Sequence, residues 1–123
     1  MPNPASSGDR DVRIRFDKPG EVPDPFGGTV PGWVDQFSRL ARIIPAKGGE
    51  GVQAQRLAGT QPVYIIVEWD SSTRTIETSW RAVEILNGVE IAYYAIKTSA
   101  DMERERRNWT IFAVQGGPDG GAG

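Results

Sequence analysis

The stretch from Asp101 to Arg107 (DMERERR) is the densest concentration of charged groups in the chain. Asp101, Glu103 and Glu105 recur at every second position, a spacing that could serve general acid–base chemistry or hold a divalent cation. Arg104, Arg106 and Arg107 are interleaved with them, and opposite charges so placed satisfy one another as solvated or interfacial ion pairs. The same arginines beside Trp109 could contact phosphates while the indole stacks on a base, but the intervening glutamates cancel most of that attraction. Gly48-Gly49-Glu50-Gly51 lacks the Lys-Ser or Lys-Thr and the strand-to-helix setting of a phosphate loop, and it reads as a hinge. Asn108-Trp109-Thr110 fits the glycosylation pattern, which without a secretion signal reads as coincidence.

Cysteine and histidine are both absent. That excludes disulfides, thiolate or imidazole zinc ligation, and any nucleophile activated by histidine. The expectation is a protein that is not an enzyme, with no catalytic residues, no cofactor and no metal.

Fourteen basic and sixteen acidic residues leave a net charge of −2, too little to draw the chain onto nucleic acid or an anionic membrane, so charge balance favours protein partners. The longest apolar run, Val63 to Val67, is far too short to span a bilayer, and the first residues show no apolar leader. A soluble protein made in the cytoplasm of its producing cell is expected.

Length and composition imply three parts: a flexible arm over residues 1–11, one β-barrel domain over 12–114, and a flexible Gly-rich tail over 115–123. Within the domain, VRIRF (Val12 to Phe16) alternates with period two and predicts a strand. The following KPGEVPDPFGGTVPG, with four prolines and four glycines, predicts a long irregular loop. Trp33 to Ile44 predicts a strand bulged near Ser38. Glu50 to Ala58, closed by Gly59, predicts one short helix, which at that length must rest on something. Val63 to Trp69 is the most β-branched segment and predicts a central strand.

Asn87-Gly88 between β-prone arms predicts a two-residue hairpin pairing Leu86 with Val89 and Glu84 with Ile91. That register places Ala82, Glu84, Leu86, Val89, Ile91 and Tyr93 on one face, and Arg81, Val83, Ile85, Glu90, Ala92 and Tyr94 on the other. Trp109 to Val114 predicts a last strand. The fold class is therefore mainly β, a small six-stranded barrel or sandwich with one short helix. Trp33, Trp69, Trp80 and Trp109 fall near strand–loop boundaries, where an indole can seal a barrel end or anchor a partner.

These pieces, in this order over roughly residues 10–115, resemble the phage head–tail joining family, the small head-closure (stopper) or adaptor proteins of long-tailed phages and gene transfer agents. The carriers are the first strand leading through a Gly-containing loop to Trp33, SRLARIIP (Ser38 to Pro45), GGEGVQAQRLAGTQPVYIIVEW (Gly48 to Trp69), TSWRA (Thr78 to Ala82), the Asn87-Gly88 hairpin and SADMERERRNW (Ser99 to Trp109). One departure is Leu40, which stands where members often carry a tryptophan, and it puts a specific contact there in doubt.

The resemblance implies a structural virion protein at the head–tail junction. It would be a homo-oligomeric ring of six or twelve copies, with portal or adaptor proteins on the head side and tail-completion or tail-tube protein on the tail side. DNA would pass through the ring's channel without sequence-specific binding, and no membrane would be involved. The segment from Ala46 to Gln61 corresponds to a channel-closing loop in some members, which makes Lys47, Gly48, Gly49, Glu50, Gln53 and Gln55 candidates to face the channel. Candidate interface residues are Phe26, Trp33, Glu50, Arg56, Trp80, Arg81, Glu103, Arg106 and Arg107. Alternative readings are a tail-completion protein of the same neck or an OB-like nucleic-acid-binding barrel, for which three lysines and aromatics at strand ends are poor support.

Overall fold

A computed structural model describes residues 10–46, 62–100 and 107–116. Six antiparallel strands close into a barrel: β1 (Val12–Pro23), β2 (Thr29–Pro45), β3 (Pro62–Glu68), β4 (Arg81–Leu86), β5 (Val89–Ala100) and β6 (Asn108–Gly116), in the spatial order β1-β2-β3-β6-β5-β4. Closure comes from β4, which pairs with β1 over Arg13↔Ile85 to Asp17↔Arg81. The interior is filled by alternate residues of each strand, chiefly Ile14, Phe16, Ile65, Val67, Ala82, Ile96, Ile111 and Ala113. Phe16 and Phe37, cross-strand partners, stack tilted at 5.4 Å, and Trp80 meets Phe37 edge-on at 6.0 Å.

The β3–β4 connector packs onto the core. Asp70 Oδ1 accepts from the backbone N–H of Ser72 (2.7 Å) and Thr73 (2.8 Å), and buried Thr73 Oγ1 donates to the Glu68 carbonyl at 2.7 Å. These bonds fold residues Thr73–Thr75 into a single 3-10 turn and bring Ile76 and Trp80 into the core. Among the described residues this turn is the only helical element. The helix expected over Glu50 to Ala58 lies outside the described residues.

Three expectations change. The predicted Pro/Gly loop is instead paired backbone: β1 and β2 continue as a ribbon from Asp17↔Asp35 to Pro23↔Thr29. Pro19, Pro23 and Pro31 occupy pairs of one parity, so their missing N–H groups fall where a two-stranded ribbon points them away from the partner strand. The bulge expected near Ser38 lies at Gln36, which has no partner between Phe16↔Phe37 and Asp17↔Asp35. In the β4–β5 hairpin, Asn87 (φ 53°) and Gly88 (φ 80°) make the expected turn and Leu86 pairs with Val89. A second bulge between Glu84 and Ile85 then pairs Glu84 with Ala92 rather than Ile91. One extra residue exchanges the faces, so Ala92 and Tyr94 point inward while Tyr93 points outward.

Tyr94 is nearly buried and its hydroxyl donates to Glu84 at 3.1 Å. Burial first, and then the Glu84 carboxylate, push the phenol up to about 12 from 10.0. A raised folded value contributes stability below pH 10 that is lost as pH rises through about 12. Tyr94→Phe should therefore flatten the fall in unfolding midpoint across that interval, as followed by circular dichroism. An unchanged alkaline slope would contradict this.

Candidate assembly interface

Beyond Asp17 on β1 and before Arg42 on β2, neither strand pairs with another part of the barrel. The two form an arm that leaves the wall, and alternation gives it two faces. One carries Lys18, Gly20 and Val22 opposite Val34, Gly32 and Val30; the other carries Pro19, Glu21 and Pro23 opposite Trp33, Pro31 and Thr29. A Cβ on Gly20 would come within 2.9 Å of Val34 Cγ2, and one on Gly32 within 2.7 Å of Val22 Cγ2, so both glycines let the valines fold across the ribbon.

The tip is ordered by its own carboxylate. Asp24 Oδ1 accepts from the N–H of Phe26 (2.7 Å) and Gly28 (3.0 Å), and the Asp24 N–H donates to the Gly28 carbonyl at 3.0 Å. Gly27 completes the turn at φ 88°. The result displays Phe26 with 95% of its surface exposed.

At the base, Asp17 is 1% exposed and receives two guanidinium groups. Arg15 donates through Nε to Oδ1 (2.8 Å) and through Nη2 to Oδ2 (2.9 Å), and Arg81 Nε donates to Oδ2 at 2.8 Å. The Arg81 guanidinium lies over Trp33 of the arm at 4.9 Å and over Tyr93 at 5.3 Å. Arg15 also pairs with Glu90 (2.8 Å), whose other oxygen accepts from the Tyr93 hydroxyl at 2.6 Å. The Asp17 bond holds the Arg15 guanidinium well above its ordinary value against the opposing effect of burial, with Glu90 adding to it. The Tyr93 hydroxyl, and after it Arg15, hold the Glu90 carboxyl below its usual 4.5, while Glu90 pushes the Tyr93 phenol up. The network fixes the arm's exit from the barrel.

At the opposite end of the β1–β2 pair, Arg10, Arg13, Ser38, Arg39, Leu40 and Glu68 line a cleft of about 300 Å³. Arg39 Nε donates to Asp70 at 3.1 Å and its guanidinium lies 4.8 Å over Phe37. Burial opposes ionisation of Asp70, but bonds from the Thr73 and Ser72 N–H groups and Arg39 outweigh it and hold the carboxyl below 3.8. Arg10 is bonded to Asn108. A third feature is the exposed apolar tip of the β4–β5 hairpin, formed by Leu86, Val89 and Ile91.

The candidates named from sequence fall into four groups. Phe26 is at the arm tip, and Trp33 is half-buried at its base rather than at a strand end. Trp80, 7% exposed, and Arg81, 8% exposed, are engaged inside their own chain, so in the barrel as it stands their surfaces are covered by Phe37 and by Asp17, Trp33 and Tyr93. Arg107 is exposed, and its carbonyl accepts from the Trp69 N–H at 3.0 Å. Lys47, Gly48, Gly49, Glu50, Gln53, Gln55, Arg56, Glu103 and Arg106 lie outside the described residues. Sequence reasoning missed Asp17, Arg15 and Glu90. The signal available was Arg15-Phe16-Asp17, two opposite charges sharing one face of a strand. Among the described residues no three carboxylates gather as a metal site.

The family model described as "Phage head completion protein" matches residues 5–116. No curated protein matches the chain. Among solved structures, a protein of Shigella flexneri 2a determined in solution superposes with a TM-score of 0.62 at 17% identity, covering 92% of this chain and 98% of that one. A chain in the virion of a native gene transfer agent particle superposes with a TM-score of 0.53 at 18% identity, covering 84% of this chain and 91% of that one. At these identities the two likenesses show a shared fold.

Proposed function

The chain belongs to the phage head completion protein family, whose members are virion structural components and not enzymes, and on that footing we propose that it is a head-closure subunit. In this reading several copies, six or twelve, form a ring between the portal–adaptor complex and the tail, around the channel through which DNA passes. The observation that carries the reading is the family match over residues 5–116, nearly the whole chain. Two further features support it. A chain of similar fold occurs within a gene transfer agent virion. The barrel also carries an anchored arm with an ordered tip and an exposed apolar hairpin, the surfaces a subunit needs to meet neighbours. A net charge of −2 suits a channel wall that lets DNA slide without gripping it.

Omission of the chain during particle assembly tests this. Expected are separate heads and tails, with heads that lose their DNA. Joined particles that retain their genome would overturn the proposal, and closed DNA-filled heads beside unfinished tails would favour the tail-completion reading.

A further inference from the structure

The arm and the cleft are complementary in charge. Between residues 18 and 35 the arm carries one base, Lys18, against three acids, Glu21, Asp24 and Asp35. The cleft is lined by three bases, Arg10, Arg13 and Arg39, and one acid, Glu68; Arg39 is bonded to Asp70 beside it and Arg10 to Asn108, which leaves the lining with a net positive charge centred on Arg13. Their shapes correspond as well. The arm ends in a fully displayed phenyl ring on a turn fixed by Asp24, and the cleft is an open volume of about 300 Å³ that Leu40, itself 49% exposed, helps to line. Guanidinium groups beside an exposed apolar side chain suit an aromatic ring, which they contact through its face.

The two cannot meet within one molecule. Arg13 in the cleft belongs to β1 and Asp24 at the tip directly follows that strand's last residue, eleven residues away by number, and extended backbone places them roughly 35 Å from each other. The buried Asp17 network between them fixes the direction in which the arm leaves. A surface and its complement at opposite ends of one rigid unit make a head-to-tail contact, which closes into a ring when the rotation allows.

We infer that the arm of each copy seats Phe26 in the Arg10–Arg13–Arg39–Leu40 cleft of the next copy, with Glu21 and Asp24 facing the arginines. The inference rests on the ring reading above and names the contact that builds the ring. It also gives Leu40 a role, as an apolar contact for the incoming ring. The exposed hairpin of Leu86, Val89 and Ile91 is the competing apolar seat, but its tip offers no cation for an acidic arm.

Because the chain has no cysteine, paired substitutions report the contact directly. Phe26→Cys with Leu40→Cys, both on exposed positions, is oxidised in assembled particles and run on a denaturing gel without reductant. The expected result is a ladder of copies of this chain up to the closed ring, absent from either single variant beyond a dimer and absent from Phe26→Cys with Val89→Cys. A ladder from the Val89 pair, a bond to a different virion protein, or no bond between copies in intact particles overturns the inference. If the chain is missing from particles altogether, the head-closure reading fails first, and the two failures are thus told apart. A salt titration of the purified assembly adds a second readout: Arg13→Glu should abolish assembly, and adding Glu21→Arg should restore it in part. Equal assembly by Arg13→Glu and the unaltered chain would again overturn it.

Discussion

Asp17→Ala is expected to lower the unfolding free energy by about 3–5 kcal/mol, the cost of stranding desolvated charge after one member of a buried ion pair is removed. Asp17 is the shared acceptor for Arg15 and Arg81, whose side chains are only 20% and 10% exposed. With the carboxylate gone, the Arg81 Nε loses the oxygen it donates to, while the guanidinium stays between two aromatic rings. At about 4 °C per kcal/mol, a barrel of this size would melt roughly 12–20 °C lower. The position also predicts a local effect. Because Arg81 stacks on Trp33, losing Asp17 should raise amide exchange across residues 18–34 more than in β3 or β6. A loss under about 1 kcal/mol, in the range of an exposed pair, would show that the cluster is screened by water.

Phe16→Ala, one residue away, is expected to cost a similar amount, about 3–5 kcal/mol, by a different route. Phe16 is wholly buried and packs on Phe37, which in turn carries Trp80. The cavity would open inside the barrel, so global unfolding should become easier while the arm keeps its anchor. Denaturant melts would register both variants. Exchange in the arm at matched global stability separates them, since only the Asp17 change releases the ribbon ahead of the barrel. Equal arm protection in the two variants would contradict the assignment of Asp17 as anchor.

The contrast between these neighbours also shows what the residues disclose on their own. Alternation in VRIRF places Ile14 and Phe16 inward without further information, and Asn87-Gly88 fixes its turn because few residues tolerate positive φ at both positions. The strands after Asp17 were hidden because proline reads as a breaker. In an isolated ribbon each strand has one unpaired edge, and three prolines in pairs of one parity cost the ladder nothing. The β4–β5 faces were misassigned from Ala92 onward because a bulge is a single inserted residue with no compositional mark. Trp80, at a strand start, was open to sealing the barrel or anchoring a partner; the structure places it in the core beyond the Asp70–Thr73 turn, and that turn is visible only once Asp70 and Thr73 are seen to bond. The candidate site was legible in part. Phe26 was named from its loop, whereas the Arg15–Asp17–Arg81–Glu90 cluster joins β1, β4 and β5 and exists only after the barrel closes.

Leu40 follows the same logic. From the sequence it was an apolar substitute in a strand. Paired with Arg13 and half exposed, it lines a basic cleft.

Electron microscopy of intact particles, with density for this chain traced at side-chain detail, is the measurement that bears most directly on all of this. The account predicts a closed ring of this barrel where head meets tail, the channel running through its centre. Density for the barrel on the outer head shell, along the tail tube or in single unringed copies would contradict it.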